Sequence, residues 1–224
     1  MDDQDRKLRL EEARIMSDEL QASLPKMVPA AGLSLESMLP FKATSLRELL
    51  IHRAADLAKT ATQHLEDGQV VPGAILTRSL VETVAILFCL HRELERFLSS
   101  PNESRLGEFL TSSLVGARWE GHPVQSINVL TAIDKVDKEI PKFRASYDAL
   151  SEYTHPNWSG LLGSYGAIDR ENHELHLGAR VRESSLRSIA STLSGSLMAF
   201  THYYNLLADV LKDFNDHFES ELPK

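Results

Sequence analysis

One cysteine, two tryptophans and few basic side chains set the first limits on this 224-residue chain. Cys89 alone can close no disulfide within the chain and cannot supply a zinc site of several thiolates, so a reducing cytoplasm is the expected home. The longest unbroken apolar run, Val84 to Leu90, falls well short of the ~20 residues a membrane span needs, and no membrane contact is expected. Met1-Asp2-Asp3-Gln4-Asp5 is acidic where a secretory signal is basic, which predicts no leader. Against 32 Asp and Glu stand only 24 Lys and Arg, a formal charge of -8. That balance argues against a surface shaped throughout to hold nucleic acid and leaves room for a local basic site. The sequence has no phosphate-cradling Walker loop, no dinucleotide fingerprint and no Gly-x-Ser-x-Gly elbow, so no cofactor is implied.

What is present is helical pattern. Residues 3–24 carry Leu8, Ile15, Met16, Leu20 and Leu24 at helical spacings and end at Pro25, which predicts a first helix that can stand as an arm. Pro, Ala, Gly and Ser in residues 25–40 predict a connecting loop, so that 1–40 reads as helix plus loop and 41–224 as the main domain. Ser45-Leu46-Arg47-Glu48 has the form of a capping box and predicts a helix start at Ser45, ended by Gly68. Pro72 suits the first turn of a central helix running to about Leu98, and Asn102 suits the cap of a shorter one reaching Val115. Residues 125–139 and 141–154 are helical in pattern, the second stopping at His155 because Pro156 disfavours helical dihedrals before it. Glycines and alternating hydrophobes predict a β-hairpin at about 161–178, and a long apolar stripe predicts a closing helix over 184–217. The expected fold is all-α, a multi-helix bundle with one small β-hairpin.

Two segments carry polar residues in unusual company. On the central helix Arg78 and Glu82 share a face with Ile75, Val81, Ala85 and Cys89, so two charges sit inside an apolar stripe. Desolvation offsets most of the Coulomb gain of such a pair, which therefore needs further partners or a function. The second segment is Leu150-Ser-Glu-Tyr-Thr-His-Pro-Asn-Trp. His155 stands where helix carbonyls attract a cation, Ser151 lies one turn earlier, and Asn157 is in the turn that follows. Arg78, Glu82 and His155 are the catalytic candidates, with Ser151 and Asn157 as binding residues. The plainer reading makes the first pair a core salt bridge and the second segment a helix cap with an anchored turn.

Arg-Ser-Leu-Val-Glu at 78–82, followed by Leu-Ser-Glu-Tyr-Thr-His-Pro at 150–156, resembles a group of uncharacterised bacterial helical proteins. That group is similar to the HEPN superfamily of helical, often dimeric, nucleotide-associated and ribonuclease domains. The resemblance spans about residues 45–215 and makes Arg78, Glu82, Ser151 and His155 the matching polar positions. It implies a domain that binds a nucleotide or RNA, with ribonuclease-like activity. The superfamily's catalytic motif, an arginine followed a few residues later by a histidine, fits only Arg47 with His52 and Arg170 with His176, roughly the number chance supplies. The alternative is a non-catalytic, dimeric helical interaction protein.

No metal is expected. Glu152-x-x-His155 has the spacing of one half of a di-iron ligand set and lacks the second copy such bundles need, and His173 and His176 would point to opposite faces of a strand. Ala190, Ser191, Ser194, Gly195 and Ala199 allow close approach on the closing helix, which predicts a homodimer burying part of that helix or its neighbour.

Overall fold

The computed structural model describes residues 2–29, 37–180 and 182–220. It is an all-α multi-helix bundle, 73% helical, with eight helices and one two-stranded antiparallel hairpin among the described residues. The order is α1 (Asp2–Ala22), α2 (Leu39–Glu66), α3 (Val70–Ser99), α4 (Glu103–Val115), α5 (Val129–Asp137), α6 (Phe143–Thr154), α7 (Leu162–Tyr165), β1 (Gly166–Asp169), β2 (Glu174–Leu177) and α8 (Glu183–Ser220). Chain contacts divide it into two compact units. One holds α1, α2 from Ala54, α3 to Val81, and Ile140–Met198; the other holds α2 to Arg53, Glu82–Glu139, and α8 from Ala199.

In the first unit α2 presents Ala54, Ala58 and Ala61, all fully buried, so neighbouring backbones approach closely. Leu10, Ala13 and Leu20 of α1 are buried as well, and Ser194 donates to Glu12 at 2.9 Å, so α1 is packed and not an extended arm. Gly68, with φ of 73°, turns α2 into α3, and Gly73 then sits where a Cβ would lie 2.4 Å from Leu65 Cδ2. A larger residue at 73 would have to displace the Leu65 side chain.

The second unit is held by aromatic packing. Phe88 meets Tyr203 edge-on with ring centroids 5.1 Å apart, and Phe97 meets Phe214 in the same way. Such pairs are each worth about 0.5–1.5 kcal/mol beyond the area they bury. Glu93, nearly buried, receives Arg96 at 2.7 Å and Arg105 at 3.1 Å, fastening α3 to α4. Burial raises the Glu93 carboxyl's pKa, but the hydrogen bonds from Arg105 and Arg96 outweigh it and hold the group below the usual carboxylate range. His91, also buried, is lowered too, but here by burial itself: desolvation takes its pKa below that of a normal imidazole although Glu95 Oε2 lies 3.4 Å from Nδ1.

Several boundaries differ from the sequence reading. α2 begins at Leu39, inside the expected loop, with Ser37 Oγ accepting from the Leu39 amide; residues 30–36 of that loop lie outside the described residues. Ser45 is therefore mid-helix and caps nothing. Glu48 instead accepts the Tyr204 hydroxyl at 2.6 Å and the adjacent Arg47 guanidinium, which stacks 3.6 Å from the Tyr204 ring centroid. α5 is shorter than expected, because Asn128 accepts from the Leu130 amide at 3.0 Å and so starts the helix later. The strands occupy only 166–169 and 174–177, and residues 162–165 form the short α7, its turn closed by a 2.6 Å bond from the Gly163 amide to the Trp158 carbonyl.

By length and composition α3 is the one helix among the described residues that fits a membrane span, and 67% of its most apolar stretch is buried inside the protein. Cys89 lies in it, buried and free, its thiol pushed up to about 11 by desolvation.

Candidate functional site

Arg78 leaves α3 five residues after the Gly73 contact and reaches α6. Its Nε donates to Ser151 Oγ at 3.0 Å and its Nη2 donates to the Tyr147 hydroxyl, while the guanidinium lies 4.7 Å from the Tyr147 ring centroid. α6 offers these groups because Phe143, Tyr147 and Leu150 are buried and fix its rotation, leaving Ser151 one turn beyond Tyr147 on the same side. Ser151 Oγ also donates back to the Tyr147 carbonyl at 2.9 Å, and Thr154 donates to the Ser151 carbonyl at 2.7 Å. The hydroxyls are thereby set in direction before any ligand arrives. Arg78 is half-buried, and so is Glu82, one turn further along α3.

His155 is the C-cap of α6, extended at φ −100° and ψ 146°, as Pro156 requires. Its side chain is exposed. It follows Ser151 by four residues, so the Arg78 guanidinium meets a strip of two α6 hydroxyls, from Tyr147 and Ser151, on the helix that ends at His155. Asn157 does not join that strip. Its Nδ2 donates to Glu152 at 2.8 Å, its Oδ1 accepts from the Gly160 amide at 3.1 Å and its carbonyl accepts from the Leu161 amide, so it holds the turn that follows α6. Gly160 completes that turn against the His155 carbonyl, where a Cβ would lie 2.1 Å from the oxygen.

Tyr147 is the residue the sequence reading missed here. Its place in the apolar stripe of α6 was legible, and its position four residues before Ser151 was the available signal for the hydroxyl. Along α6 a groove of about 420 Å³ opens, lined by Lys142, Ser146, Glu152, Ser188 and Thr192 among others. Glu152 contributes to it and to the Asn157 bond, and among the described residues no group of three or more His, Cys, Asp or Glu is arranged to hold a metal. Comparison with protein-family models, with curated proteins and with solved structures finds no match.

Proposed function

We propose that the strip formed by Arg78, Tyr147 and Ser151, with His155 at the end of α6, binds a phosphate-bearing ligand, a nucleotide or a stretch of RNA. The observation that carries this reading is the Arg78 guanidinium held by two α6 hydroxyls, with an exposed imidazole at the end of that helix. A planar, always-charged fork held in place by two α6 hydroxyls, on the helix that ends at an exposed imidazole, suits phosphate oxygens. Where cleavage accompanies binding, His155 is the acid-base group able to move a proton at the leaving or attacking oxygen.

One observation favours the second reading, a non-catalytic dimeric interaction protein: the same Arg78 contacts tie α3 to α6 and stabilise the core without a ligand. Exposed His155 separates the two. His155→Gln and Ser151→Ala are compared with the unaltered protein for melting temperature, and for calorimetric binding and cleavage of ATP and of a short single-stranded RNA. A phosphate site predicts affinity reduced by about tenfold in either variant, close to 1.4 kcal/mol, with His155→Gln melting as the parent does. An unaltered protein that binds neither probe, or binding indifferent to both substitutions, overturns the proposal in favour of the interaction protein.

A further inference from the structure

The hairpin pairs Gly166 with Leu177, Ala167 with His176, Ile168 with Leu175 and Asp169 with Glu174. The Gly178 amide donates to the Tyr165 carbonyl at 2.9 Å, which sets the phase of the ladder: the main-chain groups of 174 and 176 point to β1, and those of Leu175 and Leu177 point away from it. By the same phase the Gly166 and Ile168 main chain points out of the β1 side. That side is closed in part, because Arg180 Nη1 donates to the Gly166 carbonyl at 3.1 Å.

Side chains alternate with the same strictness. Ile168, Leu175 and Leu177 share one face of the hairpin and are 62%, 53% and 82% exposed. The other face carries Glu174 and His176, 3.5 Å apart between Oε2 and Nε2. A two-stranded hairpin with its apolar face in water is marginal on its own, and a free strand edge is a template for a further strand.

We propose that the free edge of β2 pairs antiparallel with β2 of a second copy of this chain, across a two-fold axis at His176, to make a four-stranded sheet. Self-pairing must keep apolar faces together, so only registers with an even residue sum are allowed. Centring the axis on His176 sets Leu175 opposite the partner's Leu177, and Leu177 opposite the partner's Leu175. Both pairs are of the hydrogen-bonded kind, because these are the residues whose amides and carbonyls face outward, and the two together supply four main-chain bonds. The same register sets the two His176 rings opposite each other on the polar face, with a Glu174 carboxylate diagonal to each ring. One register thus satisfies main chain and apolar face together and places carboxylates beside the facing imidazoles, the self-complementarity that an isologous interface demands. None of these residues belongs to the Arg78 strip, so this assembly stands or falls separately from ligand binding.

Leu177, the most exposed of the three, makes the cleanest test. Sedimentation at micromolar concentration should give twice the 25.0 kDa chain mass. Leu177→Asp should give the monomer with unchanged helical circular dichroism. His176→Cys should form an intermolecular disulfide under mild oxidation, since residues at a non-hydrogen-bonded antiparallel site are close enough to bridge and Cys89 is buried. The crosslink should disappear when Leu177→Asp is added. A monomer in the unaltered protein, a dimer that survives Leu177→Asp, or failure of His176→Cys to crosslink in a dimer each overturns the proposal.

Discussion

Gly160 lies so close to His155 that a Cβ at position 160 would stand 2.1 Å from the His155 carbonyl oxygen. The obstruction is backbone, held by the Asn157 bonds, and has no side-chain freedom to yield. Gly160→Ala should therefore lose about 1–3 kcal/mol of unfolding free energy, by the cost of overpacking a fixed site. Urea unfolding checks it; a variant as stable as the parent would show that the turn after α6 is free to rearrange.

Glu93 should govern the acid limb of stability. Its pKa is lower in the folded chain than in the unfolded one, so the unfolded state takes up protons first as pH falls. The contribution is present above the unfolded value near about 4.3 and is lost as pH drops through the folded value. Glu93→Gln, which leaves Arg96 and Arg105 without their carboxylate, should cost about 1–3 kcal/mol at neutral pH. It should also flatten the pH dependence below 4.3 or so, as read by thermal melts across that range.

His91 should act at higher pH. Its folded pKa is depressed, chiefly by burial, so the neutral ring is native and the unfolded chain again binds the extra proton. Stability contributed by the neutral ring is intact above the unfolded value of about 6.5 and declines as pH falls toward the folded value. His91→Gln should remove that decline. A stability profile between neutral and mildly acidic pH that is the same in both proteins would contradict it.

Tyr204→Phe should strand Glu48, whose carboxylate accepts the phenol at 2.6 Å in a partly buried setting. A loss of about 1–2 kcal/mol is expected, smaller than a fully buried charge would give because Arg47 remains beside the carboxylate. Denaturant unfolding of Tyr204→Phe alone and together with Glu48→Gln measures the coupling; strict additivity would mean the bond contributes nothing.

The elements legible in the sequence were those set by local chemistry. Pro156 ends α6 at Thr154, Asn102 caps α4 by accepting from the Arg105 amide, and the Ile168, Leu175 and Leu177 alternation gives the hairpin. Reading failed where a distant partner outbid a near one. Glu48 was spaced to return to the Ser45 amide, yet its carboxylate is taken by Tyr204, 156 residues away, and the helix starts earlier. The candidate site divides the same way: Arg78 and Ser151 were visible as polar residues on helical faces and do meet, whereas the Tyr147 hydroxyl was hidden inside an apolar stripe. Asn157 was legible as a turn residue, and the turn is where its side chain is spent.

The bond from Arg180 to the Gly166 carbonyl bears on how far strand pairing can extend. A sheet with two open sides can add copies without limit and grow into a filament. Here the β1 side is closed in part by a guanidinium, so in the proposed β2–β2 pairing the outermost strands of the joined sheet are the two partly closed ones and further growth is disfavoured. Removing that guanidinium with Arg180→Ala should turn a particle of fixed mass into one whose mass climbs with concentration, a change visible by light scattering.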